Sequence, residues 1–363
     1  VREVGGKSLW SDFLADGVLI SFASVMVFIT KIFILFFGIG LLESTGYLAR
    51  AATLIDRPFS KLGMTGRSFV PVLSGFACAV PAIMATRNLS SKRDRLITSF
   101  IIPLMTCSAR LPVYALLLGF LFREQPAWKA GLALTGLYFG ALLLGAVAAA
   151  LLNQILNRQN EKSFFMMELP LYRRPRVQVL VRQCLTRTSA YITRAGPIIF
   201  ILAVLIWLGT TFPNHHAVTA AERFDGSYLS TAGRWIEPLF APMGVDWRVG
   251  VGLIAAFAAR EVFVSTLAVI FNVEGEEDSL QEGLLGAMSS ATNSQGALIF
   301  TPASILGLLI FFMIALQCMS TFAVSLRESG SARFAWIQLL TYNLVAYGLA
   351  VAAVQGLRIL GVP

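Results

Sequence analysis

Three cysteines lie inside apolar segments that cannot run as unbroken helices. Cys78 sits in "GFACAVPAIMATR" (75–87), Cys107 in "PLMTCSARLP" (103–112) and Cys318 in "LQCMSTFAVSLRE" (316–328). Pro81, Pro103 and Pro112 each lack a backbone donor, so the first two segments are expected to be interrupted. Freed carbonyls and half-helix ends would then share a cavity with the thiols. Thiolates select soft or borderline cations, and the bound metal displaces the thiol proton. A lone cysteine in such a place usually behaves as a small buried hydrophobe, whereas three at equivalent broken positions point to ligands. Cys184, in a basic amphipathic stretch, reads as structural or incidental. The four cysteines show no zinc-like pair spacing and are read as free thiols.

Two carboxylates could join the thiols. Glu43 follows a long apolar run in "LLESTGYLARAA", and Glu261 stands beside Arg260 in "FAAREVFVSTL". Each has a second reading: Glu43 as the end of a span, Glu261 as the ion-pair partner of Arg260. A carboxylate near thiolates suits a divalent cation, and Fe(II), Mn(II) or Zn(II) fit better than Ca(II) or Mg(II), which need more oxygens. Lys31, in "FITKIFILFF", reads as a bend that snorkels to an interface or as the partner of Glu43. His215 and His216 fall in a polar loop, where solvation is the ordinary state and metal capture the alternative.

The elements that position these groups follow from composition. Of 363 residues 56% are hydrophobic and 13% charged, and the mean hydropathy is +0.72, too apolar for one soluble core. Runs such as 18–42, 130–152 and 196–212 approach or exceed the ~20 residues of a spanning helix. Lipid offers no backbone partners, and a barrel would need alternating strands, so the fold is expected to be an all-α polytopic bundle with no β-rich domain. The net charge of +9 comes from basic residues at the ends of apolar runs, which sets orientation rather than nucleic-acid binding. Arg87, Lys92, Arg93 and Arg95, and the basic stretch after Leu156, are placed on the cytoplasmic side.

Four regions follow: an interfacial lead-in (1–16), a first membrane half (17–156), a basic cytoplasmic linker (157–189) and a second membrane half (190–363). The "GGKS" of the lead-in is no phosphate loop, since the glycine such a loop needs would fall on Val1. The chain opens on Val1 and is expected to be part of something longer. "GFACAVPAIMATR" and "MTCSARLPVYALL" resemble "AAFAAREVFVSTL" and "LQCMSTFAVSLRE", which gives two repeats of broken helices, the arrangement that builds transporter sites. No nucleophile and base pair, HExxH or phosphate loop appears, so a transporter is expected rather than an enzyme.

"LLESTGYLARAATLIDR", "GFACAVPAIMATRNLSSKRDRLIT", "PLMTCSARLPVYALL", "AAREVFVSTLAVIF" and "QCMSTFAVSLRES" together resemble the membrane half of the ferrous iron transport protein B family, with its two Gate regions, from about Trp10 onward. The resemblance implies a multi-pass protein of the bacterial inner membrane that imports Fe2+ as cargo, with no tightly bound cofactor. It also implies small cytosolic Feo partners, homo-oligomers as an open possibility, and an N-terminal GTP-binding domain that these residues do not contain. Carried over by motif, the metal residues are Cys78 and Cys107 in the first Gate region, Cys318 in the second, Glu43 in "ESTGY" and Glu261 in "AREV". The usual "GFGCNVPA" is altered at Ala77 and Ala79. "ESTGY" replaces the common "EDSGY", and Lys31 stands where a neutral polar residue is usual. These departures bear on metal preference and rate more than on fold. A Gate-type carrier of a nucleoside-like solute and a non-transporting scaffold are the alternative readings.

Overall fold

The computed structural model describes residues 20–156, 176–213 and 226–361, apart from positions 62–63, 90, 259, 261, 272, 274–276, 293–295 and 297. Glu261, both histidines and the "GGKS" lead-in lie outside the described residues. Within them the chain is helical, and one isolated bridge, Thr292 to Leu298, is its only extended pairing.

The first half opens with α1 (Ile20–Ser44) and α2 (Tyr47–Lys61), joined across Gly46 at φ 81°. That left-handed conformation suits a residue with no Cβ. α1 runs without interruption through Lys31, so Lys31 marks no helix break. Lys31 and Glu43 lie about 18 Å apart along one helix axis. Next come α3 (Phe69–Ala77), α4 (Ala79–Ala85), α5 (Lys92–Ile101), α6 (Leu111–Leu121) and α7 (Ala127–Leu156). The second half holds α8 (Val177–Thr211), α9 (Tyr228–Phe240), α10 (Trp247–Ala255), α11 (Val262–Ile270) and α12 (Glu277–Ser290). It closes with α13 (Pro302–Ile314), α14 (Met319–Ser329) and α15 (Ala332–Ile359). The helix containing the apolar run 196–212 already begins at Val177, and it packs along α1.

Among the described residues four stretches are long and apolar enough to cross a membrane: Lys92–Leu121, Ala127–Ile155, Pro302–Ser329 and Ala332–Ile359. They sort into two kinds. The first and third contain the breaks at Cys107 and Cys318 and are 67% buried, while the second and fourth are continuous and only 17% and 28% buried. Backbone polar groups left open by a break cannot face hydrocarbon, so the broken pair must be interior.

The outer helices read accordingly. On α7, Leu132, Phe139, Leu143, Val147 and Leu151 are exposed while Ala141 and Ala149 are buried. On α15, Trp336, Leu340 and Leu344 face out while Ala346, Ala350 and Val354 face in. Small residues let the backbones approach, which is how helices pack where no hydrophobic drive acts between them. At Gly307 of α13 an added Cβ would stand 2.5 Å from Val354 Cγ2. The buried core between the broken helices includes Tyr114, Phe263, Phe312 and Tyr342.

Candidate metal site at the helix breaks

The first break is a single residue. Cys78 is extended (φ −157°, ψ 132°) and serves as the end of α3 and the N-cap of α4. Pro81, in the first turn of α4, has no N–H for the carbonyl of Ala77. Ser108 Oγ donates to that carbonyl instead, at 3.2 Å. Phe33, Phe36 and Phe37, from the middle of the 25-residue α1, pack in the cluster that holds Cys78, Ala79 and Ile83. The thiol therefore sits far from either end of that helix.

The second break spans 102–110. A 3-10 turn (Ile102–Leu104) gives way to extended Met105 and Cys107 (ψ 132° and 162°), and a second 3-10 turn (Ser108–Arg110) leads into α6. Pro103 withholds a donor from Ser99, whose carbonyl accepts from Gln338 Nε2 at 3.0 Å. Tyr342 Oη donates to the carbonyl of Phe100. Pro112, by contrast, stands in the first turn of α6 and starts that helix rather than breaking one.

The two breaks of the second repeat contain no proline. One lies between the end of α10 at Ala255 and the start of α11 at Val262, and the other is the stretch 315–318 between α13 and α14, with Cys318 as N-cap (φ −129°, ψ 106°). Two buried guanidiniums hold the second of these openings. Arg110, fully buried, donates to Pro103 O (2.9 Å) and Leu104 O (3.2 Å) of its own break and to Met313 O (3.0 Å) at the end of α13. Arg260, 6% exposed, donates to Ala315 O at 3.0 Å. Asn343 Nδ2 reaches Leu316 O at 3.4 Å. A cation suits these places because the carbonyl end of a helix carries partial negative charge.

The repeats match in their internal stitching. In the first, Ser108, which follows Cys107, donates to Ala77 at the first break. In the second, Met319, which follows Cys318, donates through its N–H to Phe257 O at 3.0 Å. Each cysteine of a second break is thereby drawn beside the first break of its own repeat. Cys78, Cys107 and Cys318 are partly exposed and within electrostatic reach of one another.

Cys184 is only 2% exposed and packs with Phe36 and Leu180, as expected of a structural thiol. Glu43 is exposed in the last turn of α1, about two turns beyond Phe36. Among the described residues no three His, Cys, Asp or Glu side chains are arranged to hold one ion together. The thiols gather without forming a closed cage.

Several residues central to this arrangement were not singled out from the sequence: Arg110, Gln338, Asn343, and the fully buried Thr106 and Gln317 that precede Cys107 and Cys318. Arg110 carried a usable signal, since an ionisable group inside an apolar segment is a functional candidate by default. The far ends of the cysteine-bearing half-helices are also tied. Arg87, just after α4, forms a bidentate ion pair with Glu328 in the last turn of α14, and Arg95 donates to the Glu328 carbonyl.

Comparison with known proteins agrees with this layout. The family description "Gate: Nucleoside recognition" matches residues 25–121 and 192–332, which contain all four breaks, and "Ferrous iron transport protein B C terminus" matches 134–187. The Fe(2+) transporter FeoB of Leptospira interrogans is 39% identical over 98% of this chain and 53% of its own length. That of Campylobacter jejuni is 37% identical over 96% of this chain and 56% of its own. A Porphyromonas gingivalis relative, an Fe(2+) transport protein A/Fe(2+) transporter FeoB fusion protein, is 35% identical over 90% of this chain and 42% of its own. The chain thus spans about half the length of the curated relatives it matches. No solved structure shows significant similarity to it. With both Gate segments matched, and the ferrous iron transport protein B C-terminal region matched between them, the chain belongs to the ferrous iron transport protein B family, of which it represents the membrane part.

Proposed function

We propose that the chain forms a path for Fe2+ across the bacterial inner membrane, as a multi-pass permease. The observation that carries this reading is the gathering of Cys78, Cys107 and Cys318 at three of the four helix breaks, in the segments the Gate family shares. Thiolate sulfur holds Fe(II) with useful strength, and the proton leaves as the metal binds. An incomplete cage suits a carrier, because cargo must be bound well enough to enter and weakly enough to leave. Glu261 and Glu43 are assigned as accessory carboxylates, Glu261 at the break between α10 and α11 and Glu43 at one end of the path.

Arg87, Lys92, Arg93 and Arg95 place the Arg87 end of the half-helices on the cytoplasmic side by the excess of positive charge there. We assign any GTP hydrolysis to sequence outside these 363 residues. The fusion relative, named for Fe(2+) transport protein A as well as FeoB, supports a small Feo partner. Uptake of radioactive Fe2+ by cells lacking their own ferrous importer tests the reading. The full-length protein is expected to restore uptake and the Cys78→Ala, Cys107→Ala and Cys318→Ala forms to lose most of it. Wild-type rates in all three variants would remove the thiols from the path, and uptake of an organic solute without any response to iron would replace the reading altogether.

A further inference from the structure

Gln317 and Thr106 occupy matching places in the two repeats, each just before the cysteine of the second break. Both are 0% exposed. Around Gln317 several backbone groups are engaged: Arg110 holds Met313 O, Arg260 holds Ala315 O, Asn343 holds Leu316 O, and the Met319 N–H goes to Phe257. Among the described residues the Gln317 side chain is engaged with nothing, for neither Oε1 nor Nε2 has a hydrogen-bond partner there. Thr106 Oγ1 is in the same condition; Tyr114 Oη lies close to it without forming a proper hydrogen bond.

A buried amide with both ends idle is costly, and an apolar side chain of similar shape in its place would be neutral or stabilising. Its presence makes sense if another state of the protein uses it. Resting on the permease reading, we propose that Gln317 Oε1, with Thr106 Oγ1 at the equivalent place, forms an oxygen station for the divalent cation next to the thiols. Successive side chains diverge along extended backbone, and Cys318 is extended. Gln317 and Cys318 therefore serve successive positions of the ion rather than one chelate, which agrees with the lack of a closed cage among the described residues. Neutral amide and hydroxyl oxygens replace water on a cation without trapping it, and alternating sulfur and oxygen stations favour a borderline divalent ion over a purely soft one.

The test pairs transport with stability. In cells without their own ferrous importer, Fe2+ and Mn2+ uptake by full-length protein carrying Gln317→Met is compared with wild type, and the melting temperature of each purified protein is recorded. The expected result is a KM raised about tenfold or more for both ions with an unchanged or higher melting temperature, and partial recovery with Gln317→Glu, which keeps an oxygen. An unchanged KM overturns the inference, as does a loss of uptake that only follows a fall in melting temperature. Thr106→Val, nearly equal in volume, decides the same question if Gln317→Met does not fold. Wild-type protein that carries neither ion overturns the permease reading and this inference with it, whereas wild-type transport alongside an unaffected Gln317→Met form overturns this inference alone.

Discussion

Arg87 and Glu328, 241 residues apart in sequence, close the far ends of the two half-helices that begin at Cys78 and Cys318. The carboxylate is 3% exposed and the guanidinium 52%. The pair is thus half in water, and its two parallel contacts fix direction as well as distance. It joins the first repeat to the second at one end of the bundle, while the thiols meet at the other end of the same two segments.

Removing one partner of this pair leaves the other without compensation. Glu328→Gln is expected to destabilise the protein by about 1–3 kcal/mol, with solvent screening at Arg87 holding the loss to that range. The Arg95 contact should survive, because it uses the backbone carbonyl of Glu328. Thermal melts of Arg87→Gln, Glu328→Gln and the double variant form a cycle. A coupling energy near zero would mean that the pair contributes no stability.

The thiols differ in access. Cys78, Cys107 and Cys318 are partly exposed and Cys184 is buried in the α1–α8 contact. A small maleimide should label the first three in the folded protein and spare Cys184 until it unfolds. Cys184→Ala should leave Fe2+ uptake unchanged and cost roughly 1 kcal/mol through a small lost contact. Mass spectrometry of labelled peptides reads the pattern, and equal labelling of Cys184 would contradict the packing.

Two glycines at tight approaches should answer alanine differently. At Gly307 the added methyl meets Val354 Cγ2 at 2.5 Å, and at Gly145 it meets Met105 Cε at 2.5 Å. Valine is stiff at χ1, whereas the end of a methionine swings aside. Gly307→Ala is expected to cost about 1–3 kcal/mol and to be relieved by Val354→Ala, with Gly145→Ala nearly neutral. Equal melting temperatures for the two single variants would refute the difference.

Arg110 holds the carbonyls of Pro103, Leu104 and Met313 with one planar fork. Arg110→Lys offers a single point of charge and cannot span them, so it should lose most of the stability that Arg110→Met loses, about 3–5 kcal/mol. Denaturation curves in detergent compare the two. Near wild-type stability in the lysine form would show that charge alone suffices.

How much of this was readable in advance depends on where the breaking signal lies. Pro81 and Pro103 are visible in the sequence, and the structure breaks at Cys78 and Cys107 for the donor each proline withholds. α7 likewise spans 127–156 as its unbroken apolar pattern predicts. The breaks before Glu261 and at Cys318 have no such mark, and only their likeness to the first repeat pointed to them. The opening at Cys318 is held by Arg110, Arg260 and Asn343 from distant positions, a tertiary effect that no local pattern encodes. At Lys31, read as a bend, the helix is not interrupted: a lysine has good helix propensity and α1 continues through it. Gln317 is hidden for another reason, since a glutamine beside a cysteine is unremarkable until its burial is known.

The buried fork of Arg110 also limits how the molecule can move. It grips both repeats at the level of the breaks, whereas Arg87 and Glu328 grip them at one rim, with the guanidinium already half in water. Of the two fastenings, the rim can be undone and remade by solvent at little expense, and the inner one cannot. A change of access would therefore be a rocking of one repeat on the other, with Arg110 as the fulcrum and α4 and α14 as the lever arms.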